Sequence, residues 1–95
     1  MRSYELMMIH RPDLVETDVR ADIGELESAI TESGTVDDSD FWGKRRFAYE
    51  IEHLREGYYS VVEFQGDNEL VQRVDRALAL SDVVLRHKIV RSQKR

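Results

Sequence analysis

Three consecutive cations, Lys44-Arg45-Arg46, open the run Trp42 to Ile51, in which Phe47, Tyr49 and Ile51 recur at every second position. Ammonium and guanidinium groups make charge-assisted hydrogen bonds to phosphate oxygens, and the planar guanidinium can make them in pairs. Alternation of apolar residues is the pattern of a strand. A basic cluster at the start of a strand is held against a rigid sheet and meets phosphates at fixed positions. Contacts of that kind orient a protein on nucleic acid without reading its bases. Other chemistries are poorly provided for. The glycines at 24, 34, 43, 57 and 66 never gather into a phosphate-cradling loop. His10, His53 and His87 stand far apart with no cysteine near them, so neither a metal site nor a cofactor is expected. His87 reads as a hydrogen-bonded structural histidine. Serines 28, 33, 39, 60, 81 and 92 lie in no nucleophile-elbow context, and no catalytic residue is assigned.

The net charge of −5 argues at first against a polyanionic partner. Its distribution reverses that reading. Residues 1–40 carry 3 cations and 11 anions, whereas residues 41–95 carry 11 cations and 8 anions. The last ten residues hold Arg86, Lys88, Arg91, Lys94 and Arg95 and no acid. Screening confines each charge to about 8–10 Å in physiological salt, so the local balance decides what a surface binds. An acidic helix on one side and a basic sheet on the other are compatible with RNA. Ninety-five residues with 41% hydrophobic and 35% charged content describe one ordered domain, residues 1–95. With no cysteine, a disulfide framework is ruled out and a cytoplasmic setting is expected. No apolar run approaches the roughly 20 residues that span a bilayer, and no signal-peptide layout is present.

The elements that must position the cations follow from periodicity. Residues 3–9 read as a strand with few polar residues on either face, ended by His10-Arg11-Pro12-Asp13. A helix is expected over Asp18–Ser33, with Val19, Ile23, Leu26 and Ile30 as its buried stripe, Thr17 as N-cap and Gly34 just past its end. Gly24 inside it costs up to about 1 kcal/mol relative to alanine, and only close packing would account for it. Thr35 to Asp40 reads as a polar, acidic connection, extended in part at Val36. A second strand over Phe41–His53 and a third over Tyr58–Gln65 form a hairpin through Leu54-Arg55-Glu56-Gly57, the glycine supplying positive φ. Gly66 and Asp67 open a second helix, to about Leu80, that buries Leu70, Val71, Val74, Ala77 and Leu78. Val83–Arg91 makes the fourth strand. The order β-α-β-β-α-β closes as a ferredoxin-like α+β sandwich: a four-stranded antiparallel sheet with two helices on one face.

That topology leaves the other face for partners. If Leu6 and Met8 point at the helices, then Glu5, Met7 and Ile9 lie on the open face, joined by Tyr59 and Val61 from the third strand. On the fourth strand Leu85, His87 and Ile89 are the inward set, and Arg86, Lys88 and Val90 the outward one. Apolar residues converging on neighbouring central strands mark a protein-docking patch. An RNA-recognition motif, which shares the topology, is excluded. Glu56-Gly57-Tyr58-Tyr59-Ser60-Val61-Val62-Glu63 has Ser60 and Glu63 where stacking rings are needed.

Four segments in order, Arg2-x-Tyr4-Glu5-x-Met7-x-Ile9, Trp42 to Ile51, Glu56-Gly57-Tyr58-Tyr59 and Ser81-Asp82-x-Val84-Leu85-Arg86-His87, resemble the bacterial small-subunit ribosomal protein six family over nearly the whole chain. The resemblance implies a noncatalytic protein that binds the central domain of 16S ribosomal RNA together with ribosomal protein eighteen, acting in translation and subunit assembly. It carries an RNA-binding role onto Arg2, Lys44, Arg45, Arg46 and Arg86. Charge and position add Lys88, Arg91 and Lys94. Phe47 stands where the family more usually has leucine, and the chain stops at Arg95 without the longer extension of some members. Two rivals use the same fold. One is a ligand-sensing module that dimerises through its open sheet. The other is an acyl-phosphate hydrolase, which would need Arg11 in a phosphate-cradling loop now occupied by Pro12-Asp13.

Overall fold

The computed structural model describes residues 1–92. The chain forms β1 (Arg2–His10), α1 (Glu16–Thr31), β2 (Thr35–Ile51), β3 (Leu54–Gly66), α2 (Asn68–Ala79) and β4 (Val84–Arg91). The strands lie in the order β2-β3-β1-β4, and each neighbouring pair is antiparallel. Leu6 of β1 pairs with Val62 of β3, and Met8 and Phe64 lie with them on the covered side. Val19, Ile23 and Ile30 of α1 and Leu70, Val74 and Leu78 of α2 close over them, none more than 6% exposed. Fully burying side chains of this size contributes roughly 1.5–3 kcal/mol each, which makes this layer the main source of stability.

Each helix is also tied to the sheet by a histidine. His10, completely buried at the end of β1, donates from Nε2 to Asp22 Oδ2 of α1 at 2.7 Å. His87 of β4 donates from Nε2 to Asp75 Oδ1 of α2, also at 2.7 Å. The structural role expected for His87 is therefore met, and His10 has a counterpart role that the sequence did not reveal.

Several boundaries depart from the expected ones for local reasons. α1 begins at Glu16, because the Val15 carbonyl accepts from the backbone N–H groups of Asp18 and Val19, and Thr17 lies inside the first turn instead of capping it. Gly34 is not in the left-handed region. A Cβ there would strike the Gln65 carbonyl oxygen and come within 2.7 Å of Leu70 Cδ2, so glycine is required by close approach. Gly24 shows the reverse: an added Cβ meets nothing within 4 Å, so no tight packing explains it. α2 opens after Gly66 and Asp67 as expected, with Asp67 as its cap, its Oδ1 accepting from the Leu70 backbone N–H at 2.9 Å, but Ala77 is exposed and not part of the buried stripe.

The acidic segment from Thr35 is already strand, paired with Gln65 and Phe64 of β3. An edge strand needs a partner on one side only, so its side chains can stay polar and wet. The hairpin turns at Glu52-His53 between the paired Ile51 and Leu54. Both turn residues have positive φ, 50° and 67°, as a type I′ connection demands. Gly57 sits well inside β3, where a Cβ would come within 2.7 Å of Ile9 Cγ2 and 2.8 Å of the His10 carbonyl oxygen. On β4 the register slips opposite Ile9 and His10, so Val84 packs against the core in the place expected for Leu85.

Candidate functional site

The register sets out the open face row by row. Tyr59, Ile9 and Arg86 stand side by side, then Val61, Met7 and Lys88, then Glu63, Glu5 and Val90. Every residue expected on this face from β1, β3 and β4 is there, and no helix covers it. The middle rows enclose an apolar depression of about 280 Å³ lined by Met7, Ile9, Tyr59 and Val61, with Arg86 and Lys88 along its β4 side.

β2 supplies the opposite wall through Trp42, the first residue of the basic run, which the sequence pattern places on neither face. Gly43 takes φ +84° at a register shift between Phe41 and Gly43, a glycine-centred bulge. The bulge lets Phe41 turn to the covered side, onto Tyr58 at 6.1 Å, while Trp42 turns outward. The Trp42 ring stacks on Tyr59 at 6.4 Å and 7°, and its Nε1–H donates to Asp40 Oδ2 at 3.0 Å. Phe47 lies against the same tyrosine at 6.0 Å. Aromatic pairs of this kind add roughly 0.5–1.5 kcal/mol beyond burial and hold the rings in place. The glycine directly after Trp42 was the available signal for this turn of the chain.

The three neighbouring cations do not form one row. Lys44 pairs with Tyr58 and sits on the covered side, its Nζ 5.1 Å above that ring. Arg45 pairs with Gly57 and faces the open side, and Arg46 pairs with Glu56, back on the Lys44 side. Strand alternation compels this division. All three are exposed, and among the described residues none forms an ion pair. They lie at the hairpin end of the sheet on its β2 edge, whereas Arg86 stands toward the same end on the opposite, β4 edge. Arg2 lies at the other end of β1, opposite Gly66, roughly 26 Å away at about 3.3 Å per residue. Arg91 pairs with Tyr4 at that far end, and Lys94 lies outside the described residues. The structure thus divides these cations between the two edges, Lys44, Arg45 and Arg46 on β2 and Arg86 and Lys88 on β4, with Lys88 level with Met7 in mid-sheet, and leaves Arg2 and Arg91 at the far end.

The far end of the open face is acidic. Asp38 pairs with Glu63, which pairs with Glu5, and the neighbouring Asp37 accepts from Gln65 Nε2 at 3.0 and 3.1 Å. The surface therefore grades from basic through apolar to acidic. Arg11 is engaged elsewhere: its Nε approaches Asp13 Oδ1 at 3.5 Å and its backbone N–H donates to the Val83 carbonyl. A phosphate-cradling loop at that place would need those groups for itself. Among the described residues no three or more histidines or carboxylates are grouped to hold a metal ion.

Comparison with known proteins agrees with this architecture. Residues 3–91 match the family model of ribosomal protein S6. The chain is 47% identical over 92 residues to small ribosomal subunit protein bS6 of Symbiobacterium thermophilum, covering 96% of this chain and 97% of that one. It is 41% identical over 95 residues to small ribosomal subunit protein bS6 of Clostridium perfringens, covering 99% and 100%. The crystal structure of 30S ribosomal protein S6 from Thermotoga maritima superposes with a TM-score of 0.90 at 29% identity, covering 96% of this chain and 87% of that one. The chain belongs to the ribosomal protein S6 family, the noncatalytic structural proteins of the small ribosomal subunit.

Proposed function

We propose that the protein joins the central domain of 16S ribosomal RNA as a pair with ribosomal protein eighteen, the RNA meeting the cations at the hairpin end and the partner docking on the open sheet face. The observation that carries this reading is the graded face itself. An apolar depression with the exposed Met7 and Trp42 at its walls lies between a basic side, Arg86 and Lys88, and an acidic end, Glu5 and Asp38. A basic partner protein would bury the apolar centre and complement the acidic end. The cations beside it would stay available to phosphate.

Lys44, Arg45, Arg46, Arg86 and Lys88 act as positioning contacts from the two edges of the sheet, supported by their lack of carboxylate partners among the described residues. Arg2 and Arg91 lie at the far end of the sheet and would reach RNA only at a separate place, and Lys94 lies outside the described residues. With an overall charge of −5 the protein alone binds RNA weakly, and docking of the partner supplies the remaining free energy as coupling between two sites. Filter binding of a 16S central-domain fragment tests this. The affinity should rise on adding ribosomal protein eighteen and fall steeply with salt, as release of counterions from about five phosphates requires. Absence of RNA affinity even with the partner present would refute it. Light scattering provides a second check, since a tight homodimer in place of a one-to-one heterodimer would favour the ligand-sensing rival.

A further inference from the structure

β1 stops where His10 pairs with Tyr58, so residues 54–57 of β3 pair with β2 alone. Beyond the four-stranded body, β2 and β3 continue as a two-stranded arm, and the molecule reaches 37 Å in its longest dimension against 24 and 21 Å in the others. Within the arm the pairing is uneven. Between Arg46↔Glu56 and Ile51↔Leu54, four residues of β2 stand opposite the single Arg55. The surplus residues bow outward and enclose a shallow depression lined by Arg46, Phe47, Ala48, Tyr49, Glu50 and Arg55.

The side chains there combine in a particular way. Tyr49 is 72% exposed, and among the described residues no other ring stacks on it. A large bare ring on a projecting arm contributes nothing to the core, whereas every nucleobase has a flat face that can stack on such a ring. Arg55 Nε donates to Glu50 Oε2 at 3.3 Å, which ties the two strands across the uneven stretch and balances one positive charge. Arg46 remains as the net charge of the depression. One ring and one net cation match one base and one phosphate, and the depression, about 380 Å³, falls at the small end of ligand sites.

We propose that this depression holds a single unpaired nucleotide of RNA, its base stacked on Tyr49 and its phosphate met by Arg46. The inference rests on the reading of the protein as RNA-binding and specifies what the arm adds to it. A continuous duplex would offer the ring no free base face, because its bases are stacked on one another. The ligand is therefore a nucleotide turned out of a loop or bulge, the kind of RNA element that aromatic side chains recognise.

The test is filter binding of the full chain, with ribosomal protein eighteen present, to a 16S central-domain RNA fragment over a range of salt concentrations. Tyr49→Ala should weaken binding roughly tenfold to a hundredfold at every salt concentration, leaving the salt slope as it was. Tyr49→Phe keeps the ring and should bind as the original does. Arg46→Ala should reduce the slope by about 0.7, the signature of one lost phosphate contact on a single strand. The exposure of Tyr49 means that the alanine variant should unfold at the same temperature as the original chain, which keeps the comparison free of folding effects. Equal RNA binding by Tyr49→Ala and the original chain overturns the inference. So does an equal loss of affinity for ribosomal protein eighteen without RNA, which would make the ring a protein contact. If the original chain itself binds no RNA, the underlying reading falls, and this one with it.

Discussion

The two faces of the sheet are built from the same strands by the same alternation, yet they do opposite things. On the covered face Leu6, Val62 and Phe64 are completely buried, and His10 and His87 anchor the helices through Asp22 and Asp75. On the open face, one residue along each strand, Met7, Val61 and Tyr59 surround a depression that the described residues leave uncovered. Residue type hardly distinguishes the two sets. What separates them is whether the chain supplies its own cover, so one face stores folding free energy and the other reserves apolar surface for association.

The largest contrast should come from matching truncations on the two sides. Phe64→Ala removes a ring with no exposure, stacked on Tyr4 at 5.6 Å, and should cost about 3–5 kcal/mol in urea unfolding. Met7→Ala, at a side chain 39% exposed, should cost less than about 1 kcal/mol. A comparable loss for both would mean that the open face is covered in solution. Asp22→Ala comes next. His10 Nδ1 already has no hydrogen-bond partner among the described residues, and losing Asp22 would orphan Nε2 as well. The expected cost is about 1–3 kcal/mol, whereas the exposed Arg55–Glu50 pair should contribute about 0–1 kcal/mol when Arg55 is truncated.

Glycine to alanine sharpens the comparison by sign. At Gly57, wedged between Ile9 and His10 of β1 and the Phe47 ring, alanine should destabilise by about 1–3 kcal/mol. At Gly24, on the exposed side of α1 with open space around it, alanine should stabilise by up to about 1 kcal/mol. Thermal unfolding of the two variants measures both.

The parts of the fold that burial dictates were legible in the sequence. The spacing of Val19, Ile23 and Ile30 identified α1, and the alternation around Leu6 and Met8 predicted which residues of β1, β3 and β4 face outward. The parts set by backbone pairing or by close approach were not. Thr35 to Asp40 looks like a loop because its residues are polar, but an edge strand draws its order from hydrogen bonds to β3. Glu52-His53 carries no glycine to announce a left-handed turn, so the turn was assigned to Gly57, whose real constraint is the proximity of β1. The register shifts at Gly43 and opposite Ile9 and His10 rephase the strands, which is why Trp42 and Val84 were misplaced or overlooked. For the candidate site, the positive charges were visible, but not their division between faces. Consecutive residues of a strand point in opposite directions, and Lys44 to Arg46 obey that rule.

The central claim is that the uncovered face is a docking surface for a second protein, and calorimetric titration of ribosomal protein eighteen into a Val61→Asp variant tests it most directly. An unpaired carboxylate in the middle of that apolar contact should weaken association about a hundredfold or more, while the urea midpoint stays close to that of the original chain. Unchanged one-to-one binding by the variant would contradict the account.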